Sequence, residues 1–261
     1  MLRAAITTIF AIFLAFPSFA LEGVKSVSFL EGWRDRQGLH WAGVLVDLEP
    51  GWITYWRSTQ GGGIPPAFNV KRRENLSGHT LFHPKPERLE QFEKYVLGYK
   101  NQVLFPISFK SENADADIHV SAHFHFAICS DVCVPARFEI DTNLAADANQ
   151  GVKNIKAALN QGFRSANSIG VHKVACDIRY SDQSFVIETM LNWPAELPLQ
   201  HVVLEYPSAS HWVSPTEVSA NGSGTVFSTV IQNYGSSNFL ERSKLNLALL
   251  TDTALVELEG C

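Results

Sequence analysis

Ile118-His119-Val120-Ser121-Ala122-His123-Phe124-His125-Phe126-Ala127-Ile128 is the stretch that decides the fold class. Ile118, Val120, Ala122, Phe124, Phe126 and Ile128 are apolar, and His119, Ser121, His123 and His125 alternate with them. Successive side chains of a β-strand point to opposite faces. A period of two over these eleven residues therefore predicts a half-buried antiparallel strand. Continuing the alternation puts Cys129 on the face of the histidines. Working outward, short apolar runs separated by turn residues recur on both sides. Leu39 to Leu48 reads as a strand apolar on both faces, Pro50-Gly51 turns the chain, and Trp52 to Arg57 starts the next strand. Leu104 to Phe109 is a short strand whose Pro106 points to an edge or a bulge. Residues 144–170 change character: Val152, Ile155, Ala158 and Leu159 repeat at helical spacing until Gly162. Strands then resume at Val171 to Tyr180, Phe185 to Trp193, His201 to Tyr206, Thr225 to Gln232, Leu245 to Leu250 and Ala254 to Leu258. The expectation is an all-β chain of two β-sandwiches joined by a short helical linker, divided as 21–145, 146–170 and 171–261.

Composition agrees with two such units. The chain has 261 residues, 46% hydrophobic and 18% charged, which excludes wholesale disorder. Its 21 basic and 26 acidic side chains give a net charge of −5, which argues against a nucleic-acid partner. Four cysteines are too few for a disulfide-dense scaffold. Met1 to Ala20 reads as a secretory signal peptide: Arg3 is the positive start, Ala4 to Phe16 is mostly apolar, and Ser18-Phe19-Ala20 supplies the small residues before cleavage. The apolar run is shorter than the roughly 20 residues a membrane anchor needs. Export is expected, to a compartment where disulfides persist.

Chemistry concentrates in Cys129-Ser130-Asp131-Val132-Cys133. Two cysteines this close at the end of a strand can be bridged. Chain entropy gives so small a loop only about 2 kcal/mol of stabilisation, a weak return for a structural staple. A redox-active pair, a structural bridge and a metal-binding pair remain open on spacing alone. A reactive thiolate needs a positive or hydrogen-bonding neighbour. His123 and His125 are the candidates, and Asp131 would oppose ionisation unless it points away. The metal reading uses His119, His123 and His125 with the cysteines; the plainer reading makes these histidines the solvated face of a strand. No cofactor is called for, and no residue is assigned as a metal ligand. Cys176 and Cys261 either form a structural bridge between the first and last strands of the second half or stay free. Trp41, Trp52, Tyr55 and Trp56 cluster around the first turn and read mostly as core packing. Gly61-Gly62-Gly63 lacks the lysine and helix of a phosphate loop.

Four stretches in order carry a resemblance. They are Gly51-Trp52-Ile53-Thr54-Tyr55-Trp56-Arg57, Gly63-Ile64-Pro65-Pro66-Ala67-Phe68, Leu97-Gly98-Tyr99-Lys100 with Val103-Leu104-Phe105-Pro106, and Cys129 to Pro135. Together they resemble the N-terminal periplasmic domain of DsbD, on the ScsB-like branch linked to copper tolerance. The three residues between the cysteines are fewer than in the better-known DsbD domains and closer to that branch. The resemblance implies an immunoglobulin-like sandwich for this part of the chain. It implies that Cys129 and Cys133 exchange electrons, with Cys133 as attacking thiolate and Cys129 resolving the mixed disulfide. It implies a cap loop near Glu90 to Tyr99, with Phe92 and Tyr99 as shielding candidates. The partners it implies are a membrane-embedded thiol reductant, expected here as a separate chain, and a thioredoxin-fold periplasmic disulfide protein. The alternative reading is a non-enzymatic periplasmic binding or assembly module that handles copper.

Overall fold

The computed structural model describes residues 22–58, 63–91, 94–161, 163–208, 210–221, 224–235 and 239–261. The expected signal segment, residues 1–20, lies outside them. The first part of the chain forms β1 (Val24–Arg34), β2 (Leu39–Leu48), β3 (Ile53–Tyr55), β4 (Ala67–Glu74), β5 (Leu76–Leu81), β6 (Glu87–Gln91), β7 (Lys94–Lys100), β8 (Gln102–Ser111), β9 (Ile118–Cys129), β10 (Cys133–Leu144) and β11 (Asn149–Gln150). One sheet runs β11-β1-β2-β8-β5, and the other runs β10-β9-β3-β7-β6 with β4 also paired to β9. Helix α1 (Val152–Asn160) follows. The rest forms β12 (Phe163–Ser165), β13 (Lys173–Ser181), β14 (Ser184–Leu191), β15 (Leu199–Glu205), β16 (His211–Val213), β17 (Glu217–Asn221), β18 (Gly224–Asn233), β19 (Asn246–Thr251) and β20 (Leu255–Glu259). These make the sheets β12-β20-β19-β15 and β13-β14-β18-β16, with β17 also on β18. The protein is an all-β, sandwich-type fold.

The alternation in β9 sets the first core. Ile118, Val120, Ala122, Phe124, Phe126 and Ile128 are all buried, together with Ala42, Val44 and Val46 of β2 and Phe105, Ile107 and Phe109 of β8. The opposite face of β2 is also covered: Leu45 packs in a cluster with Leu30, Leu104, and Ile155 and Ala158 of α1. That is why Leu39 to Leu48 is apolar on both faces, and α1 lies on a sheet instead of crossing open solvent. Pro106 departs from its sequence reading, because β8 lies inside its sheet, between β2 and β5. Pairing with β5 ends at Leu81–Ile107, and the Pro106 carbonyl accepts from the Phe82 N–H at 2.8 Å. The N and O of a strand residue point to the same side, so the missing N–H faces the place where β5 has stopped.

The sheet β12-β20-β19-β15 is buried on both faces. Leu247, Leu249, Val202, Leu204 and Val256 pack with Phe185, Ile187, Leu191, Phe227 and Ile231 in the second core. Val203, Ala248, Leu250 and Leu255 instead join the first core cluster. Burying each of Val203, Leu250 and Leu255 contributes about 1.5–3 kcal/mol, so apolar burial dominates the junction of the two parts. Arg57, just beyond β3, adds a polar clamp. Its guanidinium donates to Glu205 Oε1 at 3.0 Å and Oε2 at 2.7 Å, and to Glu257 Oε1. It also stacks over the Trp56 ring, 4.4 Å from the centroid. Burial opposes the Arg57 charge, but the two carboxylates outweigh it and push its pKa further up.

His83 packs edge-on to Phe105, with ring centroids 5.9 Å apart. Burial, and then the charge of Arg57, hold its pKa down at about 4, against 6.5 for an ordinary histidine. The unfolded chain therefore binds a proton at His83 at a pH where the folded chain does not. The associated stability is fully present above about pH 6.5 and is lost as pH falls towards 4, by up to about 3 kcal/mol. His40 and His201 are lowered by burial in the same direction. The denaturation midpoint of the wild type should drop more between pH 7 and pH 4.5 than that of His83→Gln. Equal drops would refute the assignment to His83.

Candidate active site

The β9–β10 hairpin builds the site. Strand β9 ends at Cys129, β10 begins at Cys133, and the register sets these two residues directly opposite each other. Their Cα atoms are 4.1 Å apart and their sulfurs are bonded. A cross-strand pair outside the ladder's hydrogen-bonded rings brings Cα atoms to about 4.5 Å, which a hairpin of this register supplies without a special loop. Ser130 N donates to Val132 O at 3.1 Å inside the turn.

The two sulfurs differ in environment because the two strands differ in position. β9 is flanked by β10 and β3, where Ile53 pairs with Cys129, and Cys129 is 0% exposed. β10 is the edge of its sheet, and Cys133 is exposed. Val132 beside it is 59% exposed. An incoming group therefore meets Cys133 first.

Tyr55 sits beneath the pair, 3% exposed. Its hydroxyl lies 3.0 Å from Cys129 Sγ and 3.3 Å from Cys133 Sγ, and it donates to Gln91 Oε1 at 2.8 Å. Burial raises the Tyr55 pKa, with the Gln91 bond acting against it. Gly63 explains part of this fit. It adopts φ +88°, and a Cβ there would lie 2.4 Å from the Tyr55 ring. A glycine lets the Gly63-Ile64-Pro65-Pro66 segment close on the ring where any side chain would collide.

Sequence reasoning missed Tyr55 and Gln91. Tyr55 was covered by the reading of the aromatic cluster as core. The alternation Ile53-Thr54-Tyr55-Trp56 was the available signal: Trp56 belongs to the sandwich core, whereas Tyr55 joins Cys129 and Ala127 on the other face. The same alternation corrects Tyr99. In β7, Leu97 and Tyr99 point into the core and Val96 points towards the Tyr55 cluster. Tyr99 Oη donates to the Pro84 carbonyl at 2.7 Å, and its ring meets Phe105 edge-on, so it does not shield the cysteines. Phe92, the other shielding candidate, lies outside the described residues. Gln91, next to it, does reach the pair through Tyr55.

His123 and His125 are not brought to the sulfurs. They share the outer face with Cys129 but stand six and four residues back along β9, about 20 Å and 13 Å away at 3.3 Å per residue. They meet each other instead, with ring centroids 5.7 Å apart. His123 Nε2 lies 2.8 Å from Arg137 Nη2 and 3.6 Å from Glu139. His119 lies 3.8 Å from Asp141. Among the described residues no three His, Cys, Asp or Glu side chains are grouped to hold a metal ion. Asp131 sits exposed in the hairpin turn.

Residues 26–145, from β1 to just past β10, match the family described as Thiol:disulfide interchange protein DsbD, N-terminal. Residues 26–145 form a DsbD N-terminal-like domain. The cysteine hairpin, Tyr55 and Gln91 all lie within this DsbD-like domain. The crystal structure of the N-terminal periplasmic domain of ScsB from Proteus mirabilis is similar over 89% of this chain and 90% of its own, at 17% identity and a TM-score of 0.59. The likeness in fold thus extends past the DsbD-like domain into the second sandwich. A marsupial T cell receptor chain aligns over 93% of this chain and 98% of its own, at 9% identity and a TM-score of 0.21, which carries no argument. No curated protein matches the sequence. Beyond the DsbD-like domain, the second part of the chain holds the other cysteines. Cys176 of β13 and Cys261 are bonded, with Cα atoms 5.4 Å apart and a sequence separation of 85. Among the described residues no helix is long and apolar enough to cross a membrane.

Proposed function

We propose that this protein is a periplasmic electron carrier in which Cys129 and Cys133 cycle between dithiol and disulfide. A membrane-embedded thiol reductant reduces the pair, and the pair reduces the disulfide of a thioredoxin-fold periplasmic protein. The observation that supports this reading most is the division of labour in the hairpin: Cys133 is exposed at a sheet edge and Cys129 is buried behind it. An exposed thiolate can attack a partner, and a covered neighbour in bonding range can resolve the product.

The Cys133 thiolate attacks one sulfur of the client disulfide. A bond forms between them, the client S–S bond breaks, and the second client sulfur leaves as a thiolate. Cys129, having lost its proton, attacks Cys133 Sγ. The Cys129–Cys133 bond forms, the mixed disulfide breaks, and two electrons have passed to the client. The protons given up by the two cysteines reach the client thiols through solvent. The membrane reductant drives the reverse sequence with its own dithiol.

The first measurement is the reduction potential of the Cys129–Cys133 pair in glutathione buffers. Alkylation and peptide mapping distinguish it from Cys176–Cys261 in the intact protein. A potential within about −120 to −270 mV, the range spanned by exchange proteins, is expected. A potential below about −300 mV, where structural bridges lie, would overturn the carrier reading. The reduced protein should also transfer its electrons to an oxidised thioredoxin-fold protein through a mixed disulfide at Cys133.

A further inference from the structure

Tyr55 has one hydroxyl proton and three neighbours that can take it: Gln91 Oε1 at 2.8 Å, Cys129 Sγ at 3.0 Å and Cys133 Sγ at 3.3 Å. In the disulfide the sulfurs are neutral and weak acceptors, so the proton goes to the Gln91 amide oxygen. That leaves Gln91 Nε2 buried with no hydrogen-bond partner among the described residues. A buried polar group in this state is costly, and native structures carry few of them.

Reduction changes the order of the acceptors. A thiolate is charged, and hydrogen bonds to charged groups are about twice as strong as neutral ones. The Tyr55 O–H then turns from Gln91 to sulfur, and its oxygen is left open to accept. Rotating the Gln91 amide by half a turn brings Nε2 to that oxygen, which completes a chain from Nε2–H to Oη and from Oη–H to the thiolate. A glutamine can serve both states because one end of its amide accepts and the other donates.

We propose that Tyr55 is a catalytic residue that donates its hydroxyl hydrogen bond to the cysteine thiolates, and that Gln91 positions it through an amide that reverses with redox state. The proposal rests on the exchange reading above and deepens it. Contact with both sulfurs lets one hydroxyl serve the Cys133 thiolate in the attack and the Cys129 thiolate in the resolution. The charged or titratable side chains on the neighbouring elements are engaged elsewhere or face solvent: Lys100 of β7 pairs with Glu87 of β6, Arg88 stacks over Tyr95, and Glu90 and Asp131 are exposed. Arg57 follows β3, with its charge engaged by Glu205 and Glu257. Among the described residues none of these contacts a sulfur.

Tyr55→Phe removes the hydroxyl and keeps the ring against Gly63. In the reduced protein, thiolate absorbance against pH should show the thiol pKa raised by about one unit, the worth of one hydrogen bond to a charged group. Reaction with a small aromatic disulfide at pH 7 should slow only about threefold, because a tenfold loss of thiolate is partly offset by the greater nucleophilicity of a more basic sulfur. Gln91→Glu keeps an acceptor, removes the donor and adds negative charge, so it should raise the thiol pKa as well. In the wild type, the side-chain amide signals of Gln91 should shift on reduction more than those of the other glutamines. An unchanged thiol pKa in Tyr55→Phe would overturn the role of Tyr55. Gln91 amide signals indifferent to reduction would overturn the reversal, whether or not the variants fold. None of these measurements uses a protein client, so failure of the relay reading would show separately, as a reduced wild type that does not reduce a thioredoxin-fold protein.

Discussion

Cys133→Ser should abolish exchange with a protein disulfide, by at least about a thousandfold, because a serine hydroxyl is not ionised at neutral pH and forms no disulfide. Cys129→Ser should behave differently. It retains the exposed attacking sulfur and loses the resolving one, so it should accumulate a mixed disulfide with the client through Cys133. Both variants should stay folded. The bridge closes a loop of only a few residues, for which chain entropy predicts about 2 kcal/mol. The sandwich core of β2, β8 and β9 does not include either cysteine. The check is a non-reducing gel of each variant with an oxidised thioredoxin-fold protein, beside a denaturation curve. If Cys133→Ser exchanged at the wild-type rate, or if Cys129 rather than Cys133 carried the trapped client, the assignment of roles would fail.

The other bridge should give the opposite pattern. Cys176–Cys261 ties β13 to the last residue of the sequence across a separation of 85. For a loop of that length the chain-entropy relation predicts about 4–5 kcal/mol, more than twice the value for the hairpin bridge. Cys176 and Cys261 also pack against the second core. The double variant Cys176→Ser, Cys261→Ser should therefore lower the denaturant midpoint of the second sandwich markedly. Its exchange rate at low denaturant should not change. The pair of outcomes separates the two bridges: one changes chemistry with little stability, the other changes stability without chemistry. An unfolding free energy within about 1 kcal/mol of wild type would show that the second bridge contributes much less than the chain-entropy estimate.

Elements whose cause is local were legible in the sequence. The alternation at 118–128 identified β9 and its buried face because side-chain direction along a strand depends only on the strand itself. The strands of the second part from β13 to β20 were read within a few residues wherever apolar runs were bounded by turn residues. The very short or polar strands were not: β16, β17 and β11 carry little apolar pattern, and their pairing partners hold them in place. Pro106 misled for the same reason, since an edge is a property of the neighbours and not of the strand.

The candidate site divides along the same line. Spacing and strand end were enough to mark Cys129 and Cys133 as able to bond, because a hairpin brings its closing residues together without help from the rest of the chain. Which sulfur is exposed was a tertiary outcome, decided by the placing of β9 inside the sheet and β10 at its edge. Tyr55 stands 74 residues before Cys129, and Gln91 stands 36 residues after Tyr55. They converge only because β3 pairs with β9 and β7, and β6 pairs with β7. The sequence by itself determined two bondable cysteines at the end of an amphipathic strand. Only the tertiary structure decided what lies against their sulfurs, because strand order is set by the burial of whole faces and no local pattern records it.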